Sequence, residues 1–363
     1  MPPLKILQIC SAREIGGGER HVVDLSRGLA AHGHDVYAAV IPDSPLIGEL
    51  AFLPGEHIEE VRMRNAVNVM GARRLASIVL ERQINIIHAH VARDYPLAAI
   101  ASKLSARPYM ISRHVVFPMK GFHRRLLSGV SKVIAPSASV AAALREQGLF
   151  DESKIVSIPY GIDIDHFSQR QSRPKSQRRL VGMIGHLSPI KGQDIFIRAA
   201  AAIAAERDDV DFLLVGEDKE SDGRNRAEIE KLIAELDLAD RMILTGWKDD
   251  VRDVLEMLDI FVCPSRIEPF GLVMVEAMAA GVPVVATRSE GALEIIDDGV
   301  TGRLVPIGDT IALNEAIRAL LADPTEGRRL AQNALTSVRD RFSVKRMIAE
   351  IEQVYNDIVT TQL

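Results

Sequence analysis

Short apolar runs alternate with amphipathic segments along nearly the whole chain. Residues 4–10 are typical of a buried strand, and residues 21–32 repeat apolar side chains at helical spacing before Gly33 stops the pattern. Further short strands are predicted at residues 35–41, 84–88, 109–113 and 132–135. Strands that alternate with helices indicate an α/β fold, with a parallel sheet covered by helices on both faces.

The alternation breaks at residues 168–179, which are polar and lack periodicity, and we interpret them as a linker or an exposed loop. It then resumes and ends in a helix predicted at residues 344–359. The strands predicted for this second half span residues 180–184, 212–215, 242–244, 260–263 and 284–286.

This pattern predicts two Rossmann-like domains, residues 1–165 and residues 166–341. A C-terminal helical segment, residues 342–363, is expected to pack back towards the first domain. Two such domains face each other across a cleft, and open α/β sheets bind ligands outside the carboxyl ends of their strands.

Composition places the chain among globular proteins, with 363 residues, 47% of them hydrophobic and 26% charged. No apolar run approaches the ~20 residues that cross a bilayer, and the N-terminus lacks a secretory signal, so we expect a cytoplasmic location. Cys10 and Cys263 lie in or just after apolar strands. We interpret both as reduced core residues without disulfide or zinc spacing.

The net charge of −5 hides an asymmetry, because residues 1–165 carry +3 and the remainder carries −8. Residues 95–145 contain no acidic side chain. A one-sided basic stretch attracts anionic ligands or surfaces. The basic residues in this stretch are Lys103, Arg107, Arg113, Lys120, Arg124, Arg125, Lys132 and Arg145.

Glu268 and Glu276 lie eight residues apart, separated by an apolar run that contains Gly271. On one helix they would share a face. The favoured layout instead puts Glu268 on a loop and starts the helix near Gly271, where unpaired N–H groups attract phosphate. A phosphate cradle flanked by two hydroxyl-binding acids suits a nucleotide sugar.

Three further segments follow predicted strands. Residues 16–20, with three glycines, let the backbone approach a ligand closely, although a plain tight turn explains them equally well. Lys191 is expected at a helix start, where a cation opposes the dipole unless it reaches a phosphate; the alternative is a solvated lysine. Gly246 and Trp247 form a loop that either holds a base edge or merely buries the tryptophan.

Histidines and a D-x-D pair are the remaining candidates. We expect His88 and His90, as strand neighbours, to face opposite sides of the sheet, which argues against a joint metal site. His114 follows a strand and is expected to open into the cleft, unless it is a core or capping residue. Asp163 and Asp165 are interpreted as a turn and a helix cap rather than metal ligands.

These motifs together resemble the retaining glycosyltransferases of family four, which have the GT-B fold, and the resemblance runs nearly end to end. Four segments carry it: E-P-F-G-L-V-M-V-E from Glu268, G-H-L-S-P-I-K-G from Gly185, Y-G-I-D-I-D-H-F from Tyr160 and G-G-G-E-R from Gly16. They are specific for the family and much less so for a substrate.

The resemblance implies roles for the second half of the chain. Glu276 would bind the donor's ribose hydroxyls, and Glu268 would contact hydroxyls of the transferred sugar. The donor's diphosphate or sugar would be held by backbone N–H groups of Phe270, Gly271 and Leu272.

The leaving diphosphate would be neutralised by Lys191 and approached by Gly17 and Gly18, while His114 would lie near the donor sugar. No metal or other cofactor is implied. The family usually has arginine where this chain has His186, which is only partly charged near neutrality. Either Lys191 carries most of the leaving-group stabilisation, or His186 binds the diphosphate as a neutral donor.

The resemblance further implies sugar transfer with retention by front-face attack, and we reject double displacement because both glutamates have other assignments. On family frequency we favour a UDP-sugar donor and a glycan or lipid-linked acceptor in bacterial lipopolysaccharide, surface polysaccharide or glycolipid synthesis. The alternatives are a GDP-mannose-dependent mannosyltransferase, a nucleotide-sugar epimerase and a non-catalytic nucleotide-sugar-binding module.

In this family the acceptor binds the first domain, which gives the basic stretch 95–145 a possible meaning. Residues 115–127 combine apolar and basic side chains. They would suit an anionic membrane or a phosphorylated glycolipid, with Arg113, Lys120, Arg124 and Arg125 on that side. A solvated basic helix is the alternative, and no nucleic-acid partner is expected.

Overall fold

The computed structural model describes residues 2–63, 68–119, 123–169, 178–218, 221–248 and 250–361. It divides into two compact units. Unit 1 comprises residues 1–161 and 344–363, and unit 2 comprises residues 162–343. The border lies four residues before the expected position, and the last helix belongs to unit 1. Of the predicted linker, residues 170–177 lie outside the described residues.

Unit 1 is built on a parallel sheet with seven strands among the described residues, in the order β3-β2-β1-β4-β5-β6-β7. Parallel neighbours need crossover connections, which the intervening helices supply. The strands are β1 (Lys5–Cys10), β2 (Asp35–Val40), β3 (Ile58–Glu60), β4 (Ile86–Ala89), β5 (Tyr109–Ser112), β6 (Val133–Ala135) and β7 (Ile155–Ser157).

Helices cover both faces of this sheet. The face that carries Ile6 and Cys10 packs against the first and last helices, whereas the face that carries Leu7 and Ile9 packs against helices from the middle of the unit. The helices are α1 (Gly17–Ala31), α2 (Leu46–Glu49), α3 (Val69–Glu81), α4 (Tyr95–Ser105), α5 (His123–Leu126) and α6 (Ala138–Gln147), with the last helix Val344–Thr360.

Helix α1 begins four residues earlier than predicted, directly after the glycine-rich turn. The Glu19 carboxylate accepts a hydrogen bond from the backbone N–H of Gly16 at 3.0 Å, which satisfies a donor at the helix start. The helix buries Val22, Leu25 and Leu29 and ends before Gly33, whose φ of +86° suits glycine.

The last helix lies against α1. A Cβ at Gly28 would come within 2.5 Å of Ile348, so the missing side chain allows this close approach. The helix buries Met347, Ile351 and Tyr355 in the same core as β1. The C-terminal segment is therefore part of the unit 1 core.

Unit 2 has a second parallel sheet, with six strands among the described residues in the order β10-β9-β8-β11-β12-β13. Its strands are β8 (Arg179–Ile184), β9 (Val210–Val215), β10 (Met242–Leu244), β11 (Ile260–Cys263), β12 (Val284–Thr287) and β13 (Arg303–Val305). The helices of unit 2 are α7 (Ile164–Ser168), α8 (Gln193–Ala204), α9 (Arg224–Glu235), α10 (Arg252–Met257), α11 (Leu272–Ala279), α12 (Glu290–Ile295), α13 (Thr310–Ala322) and α14 (Pro324–Arg341). The last helix of the chain, Val344–Thr360 in unit 1, is α15.

The sequence pattern missed three strands, β3, β7 and β13. Each has three residues and lies at the edge of its sheet, where one side of the strand is unpaired. Such strands carry at most two buried side chains, and β3 carries none, so they lack the continuous apolar run that marks a central parallel strand.

Two smaller predictions are confirmed, one for the cysteines and one for Asp163. Cys10 and Cys263 are free and buried, and burial raises the pKa of both thiols. The Asp163 carboxylate caps α7 by accepting from the backbone N–H of His166 at 3.1 Å, and Phe167 is buried behind it. Within the described residues no helix is both long and apolar enough to cross a membrane.

Candidate active site

A partly buried ion pair lies at the carboxyl edge of the unit 2 sheet. Lys191 belongs to a short 3-10 turn after β8, and its Nζ lies 2.7 Å from Oε2 of Glu268 on the loop after β11. The Ser265 hydroxyl donates to the same oxygen at 3.2 Å. Glu268 is only 6% exposed, so the lysine and hydroxyl compensate a carboxylate that has lost most of its water.

Helix α11 begins directly beyond this pair, at Leu272, as the sequence predicts. Gly271 precedes it with a φ of +100°, and a Cβ there would lie 2.1 Å from Cε of Met274 and 3.2 Å from Cγ of Glu268. Only glycine fits this turn. The first N–H groups of α11, which have no carbonyl partner in the helix ladder, therefore start beside Glu268.

Glu276 lies on α11 itself and is 6% exposed. The structure thus separates the two glutamates as the favoured layout expects, one on the loop and one on the helix. A carboxylate buried this deeply needs polar partners or a ligand, because an isolated buried charge is costly.

The loop that carries Glu268 is braced from behind. The Thr287 hydroxyl donates to the Ser265 carbonyl at 2.5 Å, and the Gly291 N–H donates to the Glu268 carbonyl at 2.8 Å. A Cβ at Gly291 would lie 1.9 Å from the Phe270 carbonyl oxygen. The start of α12 therefore presses directly on the loop and fixes its shape.

A second ion pair, which the sequence did not reveal, joins the two segments of the site. Arg266 donates to both carboxylate oxygens of Asp194 at 2.8 and 2.7 Å and to the Pro189 carbonyl at 2.7 Å. Its guanidinium lowers the pKa of Asp194. Because Pro189 begins the turn that carries Lys191, Arg266 ties that turn to the Glu268 loop.

His186 and Trp247, both predicted at the donor site, meet at the ends of β8 and β10. Their rings stack at 5.1 Å with 24° between planes. Gln193 donates to the His186 carbonyl at 2.7 Å, and the Gly246 carbonyl accepts from the backbone of Gly216 at 3.0 Å. The structure therefore brings these candidates together within unit 2.

The unit 1 candidates meet at the start of α1. Gly17 and Gly18 open the helix, and a Cβ at Gly18 would lie 3.3 Å from the imidazole of His114. Nδ1 of His114 is hydrogen-bonded to the hydroxyl of Tyr160. His114 is partly exposed, as expected of a residue that follows a strand at the carboxyl edge.

The prediction that His88 and His90 face opposite sides of the sheet is wrong. Their ring centroids lie 4.1 Å apart. Side chains alternate with a period of two, so residues two apart share a face. Across the described residues, no group of three or more His, Cys, Asp or Glu side chains has the arrangement of a metal site.

The basic stretch is only partly at the surface. Arg113 is 5% exposed and donates to the Phe117 carbonyl, so its assignment to an exposed acceptor or membrane side is corrected: the β5 end buries it. Arg124 and Arg125 are exposed on α5, and the Phe117 side chain is half exposed. Lys120 lies outside the described residues.

Comparison with known protein families covers most of the chain. The model described as Glycosyltransferase Family 4 matches residues 15–166, and the model described as Glycosyl transferases group 1 matches residues 165–336. These ranges follow the two units closely.

Individual relatives share this organisation. A phosphatidyl-myo-inositol mannosyltransferase of Mycobacterium leprae is 27% identical over 95% of this chain and 94% of its own. The lipopolysaccharide core biosynthesis mannosyltransferase LpcC of Rhizobium leguminosarum is 31% identical over 61% of this chain and 65% of its own. The crystal structure of Anabaena Alr3699/HepE in complex with UDP and glucose superposes with a TM-score of 0.86, at 25% identity over 97% of this chain and 99% of that one.

Proposed function

We propose, since this chain belongs to the glycosyltransferases that join a family 4 domain to a group 1 domain in a GT-B fold, that it transfers a sugar from a nucleotide diphosphate-sugar to an acceptor hydroxyl. One observation carries the proposal. The Lys191–Glu268 pair lies at the start of α11, and the same helix buries Glu276.

In this proposal unit 2 binds the donor's charged part. The first N–H groups of α11 and the Lys191 ammonium stabilise the diphosphate as it leaves, which replaces the charge that a metal supplies in other enzymes. Glu276 binds the ribose hydroxyls. His186 is restrained by its stack on Trp247, and of the two alternatives we favour the one in which Lys191 carries most of the leaving-group stabilisation.

We propose retention of configuration by front-face attack. The alternative, double displacement, needs a carboxylate free to attack the anomeric carbon. Glu268 instead binds Lys191 and Ser265 through the same oxygen, which suits a residue that orients sugar hydroxyls. In unit 1, the resemblance assigns Gly17 and Gly18 to the diphosphate and His114 to the donor sugar, and these roles stay predictions.

UDP is the donor nucleotide we favour, in line with the UDP and glucose bound by the Anabaena protein. A mannosyltransferase that uses GDP-mannose is the second candidate, because both relatives described above carry the name mannosyltransferase. Their names also point to lipid-linked or lipopolysaccharide acceptors. We therefore propose a glycan or lipid-linked acceptor, reached from the cytoplasmic membrane surface through the exposed Arg124, Arg125 and Phe117.

A donor panel tests the function. The protein is incubated with UDP-glucose, UDP-N-acetylglucosamine, GDP-mannose and ADP-glucose, with and without EDTA, and free nucleotide and sugar are followed by chromatography and proton NMR. We expect slow release of a nucleoside diphosphate and of sugar as its α-anomer, unchanged by EDTA. A new sugar nucleotide would indicate an epimerase, and unchanged donors a binding module; either would contradict the proposal.

A further inference from the structure

Histidine side chains gather in the interior of unit 1. His21 on α1, His90 after β4 and His114 after β5 form a triangle with ring centroids 5.5 to 6.0 Å apart. His88 lies beside His90. The strand order reverses between β1 and β4, and such a reversal is where doubly wound sheets bind ligands.

Several ring nitrogens of this triangle lack partners within the described part of the chain. They are Nδ1 and Nε2 of His21, Nδ1 of His90 and Nε2 of His114. Leaving a buried donor or acceptor unpaired costs roughly 1–3 kcal/mol. A cluster of four such atoms is therefore better explained by a ligand or by ordered water than by packing alone.

The three rings are neutral at physiological pH. Burial lowers the pKa of His21 to about 3 and holds those of His90 and His114 well below the usual value. A neutral imidazole offers one N–H donor and one lone pair. A hydroxyl group can satisfy both, whereas a phosphate brings a negative charge that neutral rings do not balance and an ammonium only donates. The cluster therefore matches the chemistry of a neutral hydroxyl.

A chain of hydrogen bonds that starts at α15 determines which ring nitrogens of His88 and His90 carry a proton. Gln8 donates to the Tyr355 hydroxyl at 3.2 Å, which leaves the tyrosine proton for Nδ1 of His88 at 2.7 Å. Nε2 of His88 then donates to Ser112 at 2.8 Å. The Gln8 carbonyl oxygen accepts from Nε2 of His90 at 2.7 Å, so Nδ1 of His90 keeps a lone pair.

We propose that His21 and His90 form a subsite for a neutral hydroxyl of a sugar or polyol. In it Tyr355 is a positioning residue that keeps Nδ1 of His90 a hydrogen-bond acceptor. The partly exposed His114 is the side from which the hydroxyl enters. This inference rests on the proposed function, because an acceptor of glycosyl transfer presents such hydroxyls.

Histidine-selective ¹⁵N labelling tests the subsite without turnover, because the ring nitrogen shift separates N–H from lone-pair nitrogens. The full-length protein is titrated with methyl α-D-glucopyranoside, methyl α-D-mannopyranoside or inorganic phosphate. We expect one glycoside to shift the His21 and His90 ring signals saturably while phosphate leaves them unchanged. No response to either glycoside, or an equal response to phosphate, would overturn the subsite.

Variants sharpen the result. His21→Phe keeps a ring but removes both unpaired nitrogens, so we expect glycoside binding about tenfold weaker and a Tm no lower than wild type. His57→Phe is the matched control, since that largely buried ring stacks on Tyr37 at 4.0 Å outside the cluster and its Nδ1 bonds locally, to the Val36 carbonyl. If it weakens binding as much as His21→Phe, the assignment is wrong.

Tyr355→Phe keeps the packing of α15 and removes only the hydroxyl. We expect the Nδ1 signal of His90 to lose its pure lone-pair shift, and an unchanged signal would contradict the positioning role. The donor panel separates the two proposals. Glycoside binding without donor turnover overturns the transferase function and supports the subsite, whereas turnover without a glycoside response overturns the subsite alone.

Discussion

Unit 1 and unit 2 share a parallel-sheet architecture but place different polar groups at the carboxyl edges of their sheets. Beneath the carboxyl edge of its sheet, unit 1 holds neutral rings linked by hydroxyl and amide groups. At the corresponding edge unit 2 holds charged groups, the Lys191–Glu268 and Arg266–Asp194 pairs. Neutral groups suit hydroxyls and charged groups suit phosphates, and our two proposals assign the units to different ligand chemistry on this ground.

Lowering the pH should destabilise unit 1 before unit 2. This change in the free energy of unfolding is the largest effect we expect. The pKa values of His21, His88, His90 and His114 are lowered by burial, so below pH ~6.5 the unfolded chain binds protons that the folded chain does not. Burial raises the pKa of Asp94 to about 6, and that group acts in the opposite sense between pH ~6 and ~4. Burial also raises the pKa of Glu19, which adds a second opposing group. The free energy of unfolding should fall by about 3 to 4 kcal/mol per pH unit there.

Unit 2 should resist acid longer. Its shifted carboxyls are Asp194, Asp209, Asp218 and Glu326, and all have lowered pKa values. Their contribution is therefore lost only below pH ~4.5. All five tyrosines belong to unit 1 and the single tryptophan to unit 2. Tyrosine absorbance and tryptophan fluorescence therefore follow the units separately in urea titrations. Coincident loss of the tyrosine and tryptophan signals at every pH would contradict the predicted difference in acid stability between the two units.

Lys191→Ala should give the next largest effect. Removing the cation at the leaving diphosphate is expected to lower kcat of donor hydrolysis by about 10²- to 10³-fold. The measurement is the initial rate of nucleotide release, with Lys231→Ala as control because that lysine is exposed and pairs only with Glu235 at the surface of α9. Near-normal turnover in Lys191→Ala would contradict the proposal that Lys191 stabilises the leaving diphosphate.

Glu276→Gln is expected to act on binding rather than rate. Loss of charge-assisted hydrogen bonds to ribose should weaken the donor about 10- to 100-fold, through KM, with a small change in kcat. Glu315→Gln, an exposed glutamate on α13, serves as control. A drop confined to kcat would point to a catalytic carboxylate and reopen double displacement.

The candidate site in unit 2 could be predicted from the sequence better than the histidine cluster in unit 1. Glu268, Gly271 and Lys191 lie in local motifs whose spacing already implies a loop, a helix start and a cation. The unit 1 cluster joins Gln8 and Tyr355, 347 residues apart in the chain, and only folding brings such residues together. Central strands were predictable because each carries an apolar run of its own, which the edge strands β3, β7 and β13 lack; the edge strand β10 was nevertheless predicted.

The face-sharing histidines illustrate a second limit. The HxH spacing at residues 88–90 did contain the information, because period two places both rings on one side of the strand. For Arg113 the sequence did not contain the information. This basic residue lies in an acid-free stretch but is buried, and its guanidinium donates to the Phe117 carbonyl of its own loop. Composition alone could not separate it from the exposed Arg124 and Arg125.

Arg125→Gln should give the smallest effect. One basic residue near an anionic surface contributes about 1 kcal/mol, or roughly fivefold in partitioning. Co-sedimentation with phosphatidylglycerol vesicles at low salt measures it, and Arg198→Gln on the exposed face of α8 is the control. Equal pelleting of the two variants, or no pelleting of the wild type, would count against membrane docking through α5.

Calorimetric titration with UDP, GDP and ADP tests the division of labour between the units most directly. For the best-binding nucleotide, the account predicts about tenfold weaker binding in Lys191→Ala and unchanged binding in His21→Phe. Failure of all three nucleotides to bind the wild-type protein, or an equal loss of affinity in both variants, would contradict the assignment of the donor's diphosphate to unit 2 and of the neutral hydroxyl subsite of His21 and His90 to unit 1.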